Sequence, residues 1–153
     1  MKLYDKSTDN LMNTLKSTSP GGLKEYFQEN FREGEPTFYN YMDELLEQKG
    51  LKRQDVLIKA NLSQKYGYKL LTGESHTTDR DKILRICLAM KLNLKETQRA
   101  LMLYGMNELY PKVKRDVLLI VAIGQRVCDI DQVNEMLTAE GEKPLYEYED
   151  ERE

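Results

Sequence analysis

Short helices, each with its own start and stop signal, are the pattern that most constrains the fold of this chain. Side chains that cap helix N-termini stand ahead of apolar runs. They are Ser63, Thr78 in Thr78-x-x-Asp81, Asn93 in Asn93-x-x-Glu96, and Asp129 in Asp129-x-x-Gln132. Glycines that end helices follow at Gly50, Gly73, Gly105 and Gly141. Because no stretch alternates as a strand does, the sequence predicts an all-α fold.

The best-defined part of this pattern is a pair of short helices, Lys52 to Ala60 and Ser63 to Thr72, joined by a few polar residues. The second helix is too short to bury much apolar surface, which suggests that it is presented to a partner. Farther along the chain, Pro111 is expected in the first turn of an apolar helix that runs to about Arg126, since proline is tolerated there.

Four segments are predicted along the chain. They are a loosely attached helical leader (1–36), a five-helix domain (37–105), a C-terminal extension of two helices (106–145) and an acidic tail (146–153). The leader carries an apolar stripe of helical period at Leu23, Tyr26, Phe27 and Phe31. This stripe either packs on its own domain or docks on a partner. The tail is either a solvated, disordered segment or a competitor of DNA for a basic surface.

The apolar and cysteine content places the chain among cytoplasmic proteins. The longest apolar run, Val117 to Ile123, is far shorter than the ~20 residues of a membrane span, and we expect it to form a buried helix. No signal peptide is visible at the N-terminus. Cys87 and Cys128 are expected to be buried, reduced thiols, because they lie far apart within apolar helical patterns. No membrane partner is therefore predicted.

Charge is distributed unevenly along the chain, although the total is only −3. Residues 49–91 hold ten Lys/Arg against four Asp/Glu, a net charge of +6, and residues 116–153 hold three against eleven, a net charge of −8. The basic segment coincides with the pair of short helices. A local basic footprint of this kind is what binding to phosphates requires.

The spacing from Leu51 to Gly73 resembles the lambda-repressor-like (Cro/repressor, XRE) helix-turn-helix family. An apolar residue opens a short helix, Asn61 and Leu62 form the turn, and Ser63 starts the second helix of the pair. The resemblance covers roughly Phe38 to Tyr104. The chain also resembles a bacterial subgroup labelled as transcriptional regulators, whose sequences continue with a similar segment. In this chain that segment is Leu-Tyr-Pro at 109–111 and Lys-Arg-Asp at 114–116.

The resemblance implies that the second helix of the pair lies in the major groove of DNA. The residues that would face base edges are Gln64, Lys65, Tyr68 and Lys69. Gln can bond to adenine in a bidentate manner, and Lys can donate to guanine. Ser63 would cap this helix while its backbone N–H meets a phosphate. Phosphate contacts are also implied for Arg53, which with Lys52 replaces the family's usual Ser/Thr-Gln pair, and for Thr78 and Lys82, along with Thr77 and Arg80.

Two positions depart from the family pattern together. Leu57 stands where the family has a small residue, and Gly67 stands where it has a β-branched one. We expect Leu57 to fill the space above Gly67, because such an exchange conserves the core volume. Asn61 replaces a common turn glycine and is suited to a left-handed conformation. On the same short helix, Tyr66 is expected in the core and Tyr68 at the surface.

Other chemistry is weakly represented. A single histidine, His76, cannot form a zinc site or a conventional triad without distant partners, and it is expected to be a surface loop residue. The glycines match neither a dinucleotide fingerprint nor a phosphate loop. No metal, cofactor or enzymatic activity is therefore predicted.

The sequence as a whole predicts a transcriptional regulator that binds double-stranded DNA and acts by occupying an operator. The alternative is a protein-interaction adaptor that keeps the helix-turn-helix fold without reading DNA; the acidic total charge and the missing Gln at the start of the first short helix favour it. The two helices after Leu109 are candidates for a homodimer surface, since one module contacts few bases. The alternative, of equal weight, is that these two helices only complete the core of the monomer.

Overall fold

The chain is helical in its structure, a computed structural model that describes residues 8–30 and 36–147, without the side chains of residues 8 and 27–30. Within those ranges there are nine α-helices and no strand, so the predicted fold class is confirmed. The helices are α1 (Thr8–Lys16), α2 (Leu23–Asn30), α3 (Phe38–Gln48), α4 (Arg53–Lys59), α5 (Gln64–Thr72), α6 (Arg80–Ala89), α7 (Leu94–Tyr104), α8 (Lys114–Gly124) and α9 (Ile130–Ala139), with a 3₁₀ turn at Pro20–Gly22.

The chain divides into two compact units, Met1–Thr37 and Phe38–Glu153. In the first unit, α1 and α2 are joined by the 3₁₀ turn, and Leu23 of the predicted stripe is exposed. Phe31 and the side chain of Phe27 lie outside the described residues, as does the acidic tail from residue 148 onward.

The core of the second unit is built around α6. Seven of the ten residues of this helix are buried, and it packs against α4, α7 and α9. One of the seven is Arg85, which no sequence pattern marks as buried. Its Nε donates to Ala60 O at 3.0 Å and its Nη2 donates to Asn61 O at 2.9 Å. Arg85 thereby satisfies the carbonyls at the end of α4, just before the turn to α5.

Most of the predicted helix starts are confirmed. Ser63 accepts from the backbone N–H of Tyr66 at 3.2 Å, and Asn93 forms a complete capping box with Glu96. Asp129 caps α9 by accepting from the N–H groups of residues 131 and 132. Because each cap satisfies backbone donors that a helix leaves unpaired, these short helices begin at fixed positions.

Two predicted helix starts are wrong. The cap of α6 is Asp79, which accepts from Asp81 N at 3.0 Å, and not Thr78. Thr77, which directly precedes Thr78, donates a hydrogen bond from its N–H to Tyr104 Oη at 2.9 Å. This bond restricts where the chain can enter α6. Pro111 does not lie in the first turn of α8, because this helix begins at Lys114, after a turn that contains the proline.

The C-terminal extension belongs to the same compact unit as α4 and α5. Two reciprocal ion pairs join α6 to α8. Arg80 donates to both carboxylate oxygens of Asp116, and Arg115 donates to those of Asp81 at 2.8 and 3.0 Å. Asp116 is 3% exposed and also accepts from the N–H of Tyr110 at 2.9 Å.

The longest apolar run is only partly buried, contrary to the prediction. Leu119, Ala122 and Ile123 are buried on one side of α8, whereas Val117 and Val121 are 37% and 42% exposed on the other. None of the helices in the described ranges has the length and apolar character needed to cross a membrane.

The two cysteines are free thiols, as predicted. Cys87 is buried in α6, and burial raises the pKa of its thiol to about 12. Cys128 is half-buried, so the prediction of a buried thiol holds fully only for Cys87.

Candidate nucleic-acid interface

The pair α4 and α5 is held together by a close contact between Leu57 and Gly67. Leu57 is 1% exposed, and a Cβ atom placed on Gly67 would overlap Leu57 Cδ2 and lie 3.0 Å from Cδ1 and 3.1 Å from Cγ. Leu57 therefore fills the space above Gly67, as predicted. The turn between the helices also follows the prediction, because Asn61 has a φ of 59°, in the left-handed region.

The outward side of α5 presents four polar side chains in two neighbouring rows. Gln64, Lys65 and Tyr68 are exposed and Lys69 is half-buried, whereas Gly67, Leu70 and Leu71 are buried on the opposite side. Residues four apart share a face of a helix. We call Gln64, Lys65, Tyr68 and Lys69 the reading face. The split confirms the predicted orientation of α5, although Tyr66 is half-buried and not fully in the core.

The reading face borders a shallow hollow of about 490 Å³ between α4 and α5. Its lining combines the four residues of the reading face with Arg53, Gln54, Leu57 and Glu74. Five of the eight residues predicted to contact DNA thus meet in one place. The hollow carries three cations against one carboxylate, so its lining has a net positive charge.

Arg53 links the reading face to α3. Its Nη2 donates to Asp43 Oδ1 at 2.9 Å, and its guanidinium carbon lies 5.2 Å from the centre of the Tyr68 ring. The guanidinium is therefore positioned beside the exposed face of α5, with Tyr68 as a neighbour. Because the ion pair is 37% and 50% exposed at its two side chains, it contributes little to stability and leaves Arg53 accessible to an anion.

Two side chains of the reading face, Gln64 and Lys69, already have partners within the chain. Gln64 Nε2 donates to the backbone carbonyl of Gln54 at 3.1 Å, which uses one of its two amide donors and orients the group. Lys69 Nζ lies 4.0 Å from Glu74 Oε2, at the limit of an ion pair, and Glu74 is 68% exposed. Both contacts can be exchanged for contacts with a ligand at small cost.

The remaining predicted residues do not line this hollow. Ser63 caps α5 and is exposed. Lys82 lies 4.8 Å from the centre of the Tyr66 ring and donates to its hydroxyl at 3.3 Å, so α6 is connected to α5. Thr78 is exposed but lines a different hollow, with Arg80 and Gln98. Arg80 is directed to Asp116 and to the carbonyls of residues 107 and 108.

Three residues of the site were not predicted. Gln54, Glu74 and Asp43 hold Gln64, Lys69 and Arg53 respectively. Exposed polar residues such as these carry no periodic signal that assigns them to a site. Only Gln54 had a sequence cue, since it follows Arg53 directly at the start of α4.

Metal-binding groups and the single histidine were also considered as sites in the part of the chain that the structure describes. In these ranges no group of three or more His, Cys, Asp or Glu residues could hold a metal ion. His76 is exposed, as predicted, and its ring stacks on Tyr104 with centroids 4.6 Å apart.

Comparison of the chain with protein-family models, curated protein sequences and solved structures finds no match in any of the three. The resemblance to the repressor-like helix-turn-helix family thus stays a prediction that rests on the residues quoted above.

Proposed function

We propose that this chain is a sequence-specific regulator that binds double-stranded DNA and acts by occupying an operator, with α5 in the major groove. The observation that carries the proposal is the convergence of Arg53, Gln64, Lys65, Tyr68 and Lys69 around one hollow on the exposed side of a short, capped helix. These side chains offer amide, ammonium, guanidinium and phenol groups. Such groups bond to base edges and phosphates.

The dimensions of α5 suit a groove. Nine residues make a helix of about 13 Å. The major groove of B-DNA, about 12 Å wide, admits an α-helix. The buried side of α5 rests on α4 through Leu57 and Gly67, which leaves the reading face as its free side. Lys82 and Ser63 stand at the margin, where the phosphate backbone would pass.

A homodimer forms part of this proposal. One module reads few base pairs, and two modules on a symmetric site multiply the affinity and the specificity. The exposed valines of α8, Val117 and Val121, together with Val113 at its N-cap, form a stripe at four-residue spacing. Such a stripe is a suitable surface for a second copy of the helix.

The alternative, an interaction adaptor that keeps the fold without reading DNA, is favoured by one observation. Gln64, Lys69 and Arg53 all have partners within the chain, so the face is partly satisfied in the absence of a ligand. An adaptor would bind its partner through another surface and would tolerate changes on the reading face.

Selection from a random library of DNA duplexes separates the two functions. A regulator enriches one motif, and Gln64→Ala/Lys65→Ala abolishes the enrichment while the thermal unfolding curve stays unchanged, since both side chains are exposed. The matched control is Lys95→Ala/Gln48→Ala, which removes the same two residue types from exposed positions on α7 and α3 and should enrich the same motif. Absence of any enriched motif with the wild-type protein would overturn the proposal in favour of the adaptor.

A further inference from the structure

A second concave site lies away from the reading face. An open cavity of about 580 Å³ lies between the ends of α4, α6 and α8 and the start of α9. Its volume is within the range of about 300–1,000 Å³ typical of small-molecule sites. None of the eight residues predicted to contact DNA lines it. We call it the C-terminal cavity.

The backbone around this cavity has an unusual conformation. Among the described residues, the three non-glycine residues with positive φ are Asn61 (59°), Lys91 (59°) and Arg126 (63°), and all three line the cavity. At four other helix ends the same region is occupied by glycine, at Gly50, Gly73, Gly105 and Gly141. Glycine adopts this conformation without the steric cost that a Cβ atom brings. Three residues with side chains thus occupy positions where glycine would carry less steric strain.

The lining charges are not matched with one another. Lys59, Lys91 and Arg126 form no ion pair within 4.0 Å with any residue in the described ranges. The two carboxylates of the cavity are already engaged as acceptors. Asp129 Oδ1 accepts from Asp131 N at 2.8 Å, and Asp131 Oδ1 accepts from the Tyr146 hydroxyl at 2.7 Å. The lining thus holds three cations against two carboxylates, a net charge of +1, and none of the cations is paired with either carboxylate.

The lining also supplies some apolar surface beside its polar groups. Ile58 is 62% exposed, and Tyr146 and Leu88 also line the cavity. Apolar surface next to a few charged groups can hold and orient a small organic molecule.

We propose that the C-terminal cavity binds a small organic anion, an aromatic or branched apolar body that carries one carboxylate, phosphate or sulfonate. Lys59, Lys91 and Arg126 hold the anionic group, and the apolar body lies against Ile58 and Tyr146. Asn61, also in the lining, belongs to the turn that leads into α5. A bound anion would therefore contact the segment that positions the reading face, and this consequence for DNA binding rests on the proposed function.

The test uses 1-anilinonaphthalene-8-sulfonate, an aromatic body with one sulfonate, and follows its fluorescence as it is titrated into the full-length protein without DNA. The decisive variant is Lys91→Gly/Arg126→Gly. Glycine relieves both left-handed residues, so this variant should keep or raise the melting temperature while its affinity for the probe falls at least tenfold. The control, Lys95→Ala/Lys112→Ala, removes two exposed cations outside the cavity and should bind the probe as the wild type does.

N-phenyl-1-naphthylamine, which has the same aromatic body without the sulfonate, separates recognition of the anion from simple apolar burial. The wild-type protein should bind it at least tenfold more weakly than the sulfonate. Equal binding of the two probes, or unchanged binding of the sulfonate by Lys91→Gly/Arg126→Gly, would overturn the proposal. A lower melting temperature in that variant would instead assign the two cations to stabilisation of the helix ends. Lys59→Gln, on the exposed side of α4, repeats the binding test without any change to a left-handed residue.

The outcome does not depend on the proposed function. Weaker binding of the sulfonate probe by Lys91→Gly/Arg126→Gly supports the anion site whether or not the protein selects a DNA motif. Absence of a DNA motif leaves the binding of the probe unaffected.

Discussion

Gly67 and Leu57 occupy one shared volume between α4 and α5, so a side chain at either position depends on the size of the other. Gly67→Ile should lower the free energy of unfolding by about 1–3 kcal/mol, because the new side chain would overlap a leucine that is 1% exposed. Leu57→Ala should cost about 2–5 kcal/mol through the cavity it leaves. Urea unfolding of both variants measures these losses.

The double variant Leu57→Ala/Gly67→Ile is the control for this shared volume. It exchanges the large and the small side chain between the two positions and should be more stable than either single variant. A double-mutant cycle quantifies this coupling between positions 57 and 67. A higher melting temperature for Gly67→Ile alone would show that the two residues do not compensate each other.

Cys87 should be chemically inert in the folded protein. Burial raises the pKa of its thiol to about 12, so the reactive thiolate is scarce at neutral pH. A thiol reagent such as Ellman's reagent, applied at pH 8, should modify only the half-buried Cys128, and Cys128→Ser should abolish the fast reaction. Two cysteines reacting at equal rates in the native protein would contradict this burial.

The same shift makes stability depend on pH in the alkaline range. In the unfolded chain the thiol ionises near its ordinary pKa of 9.0, whereas in the folded chain it stays protonated up to about pH 12. The stabilisation is thus fully present below about pH 9 and is lost as the pH rises towards 12. Cys87→Ala should flatten this part of the stability profile relative to Cys128→Ala.

Side-chain direction on α5 could be predicted from the sequence, but side-chain partners could not. Helical period places Gln64 and Tyr68 on the same side, and Ser63 fixes where the period begins. By contrast, the contact of Arg53 with Asp43 joins residues ten positions apart on different helices. Arg85 is a similar case, since its burial depends on the carbonyls at the end of α4.

At the level of the helices, the ends of α6 and α8 are fixed by contacts between distant residues. Thr78 and Asp79 both have side chains that cap helices, and the hydrogen bond from Thr77 to Tyr104, 27 positions away, decides between them. Pro111 suits either a first turn or the turn before a helix. Asp116, which accepts from Tyr110 N and from Arg80, holds the proline outside α8. Sequence patterns around a helix end do not reveal these contacts with distant residues.

The reciprocal ion pairs between α6 and α8 should be a main source of their association. Asp116→Ala should cost about 3 kcal/mol, near the lower end for breaking a buried pair, because Arg80 is 25% exposed. Asp43→Ala, which removes an exposed pair, should cost less than about 1 kcal/mol. Urea unfolding compares the two variants. Equal losses would mean that the buried pairs do not join the helices in the way described.

At the scale of the whole molecule, the proposed homodimer depends on the exposed valines of α8. Val117→Lys/Val121→Lys should convert a dimer into a monomer with little change in thermal stability, because both valines are exposed. Ile58→Lys, an equivalent change at an exposed apolar residue of α4, should leave the oligomeric state unchanged. Sedimentation equilibrium measures both. A wild-type protein that is monomeric at micromolar concentration would remove the dimer from the proposal.

The basic charge of the chain is concentrated on one segment. The net charge of +6 on residues 49–91 lies on the segment that contains α4 and α5, although the chain as a whole is acidic. Phosphate contacts made by such a segment release counterions, so affinity for DNA should fall steeply as salt rises. Discrimination between sequences should come from the reading face and should persist at each salt concentration.

Fluorescence anisotropy across a salt series, with the duplex enriched by selection and a scrambled duplex of the same composition, tests this claim most directly. We expect the enriched duplex to bind at least about a thousandfold more tightly than the scrambled one. We also expect Gln64→Ala/Lys65→Ala to lose this preference and Lys95→Ala/Gln48→Ala to keep it. Equal affinities for the two duplexes, at the non-specific level of about 10⁻⁴–10⁻⁶ M, would contradict the assignment of α5 as a reader of DNA sequence.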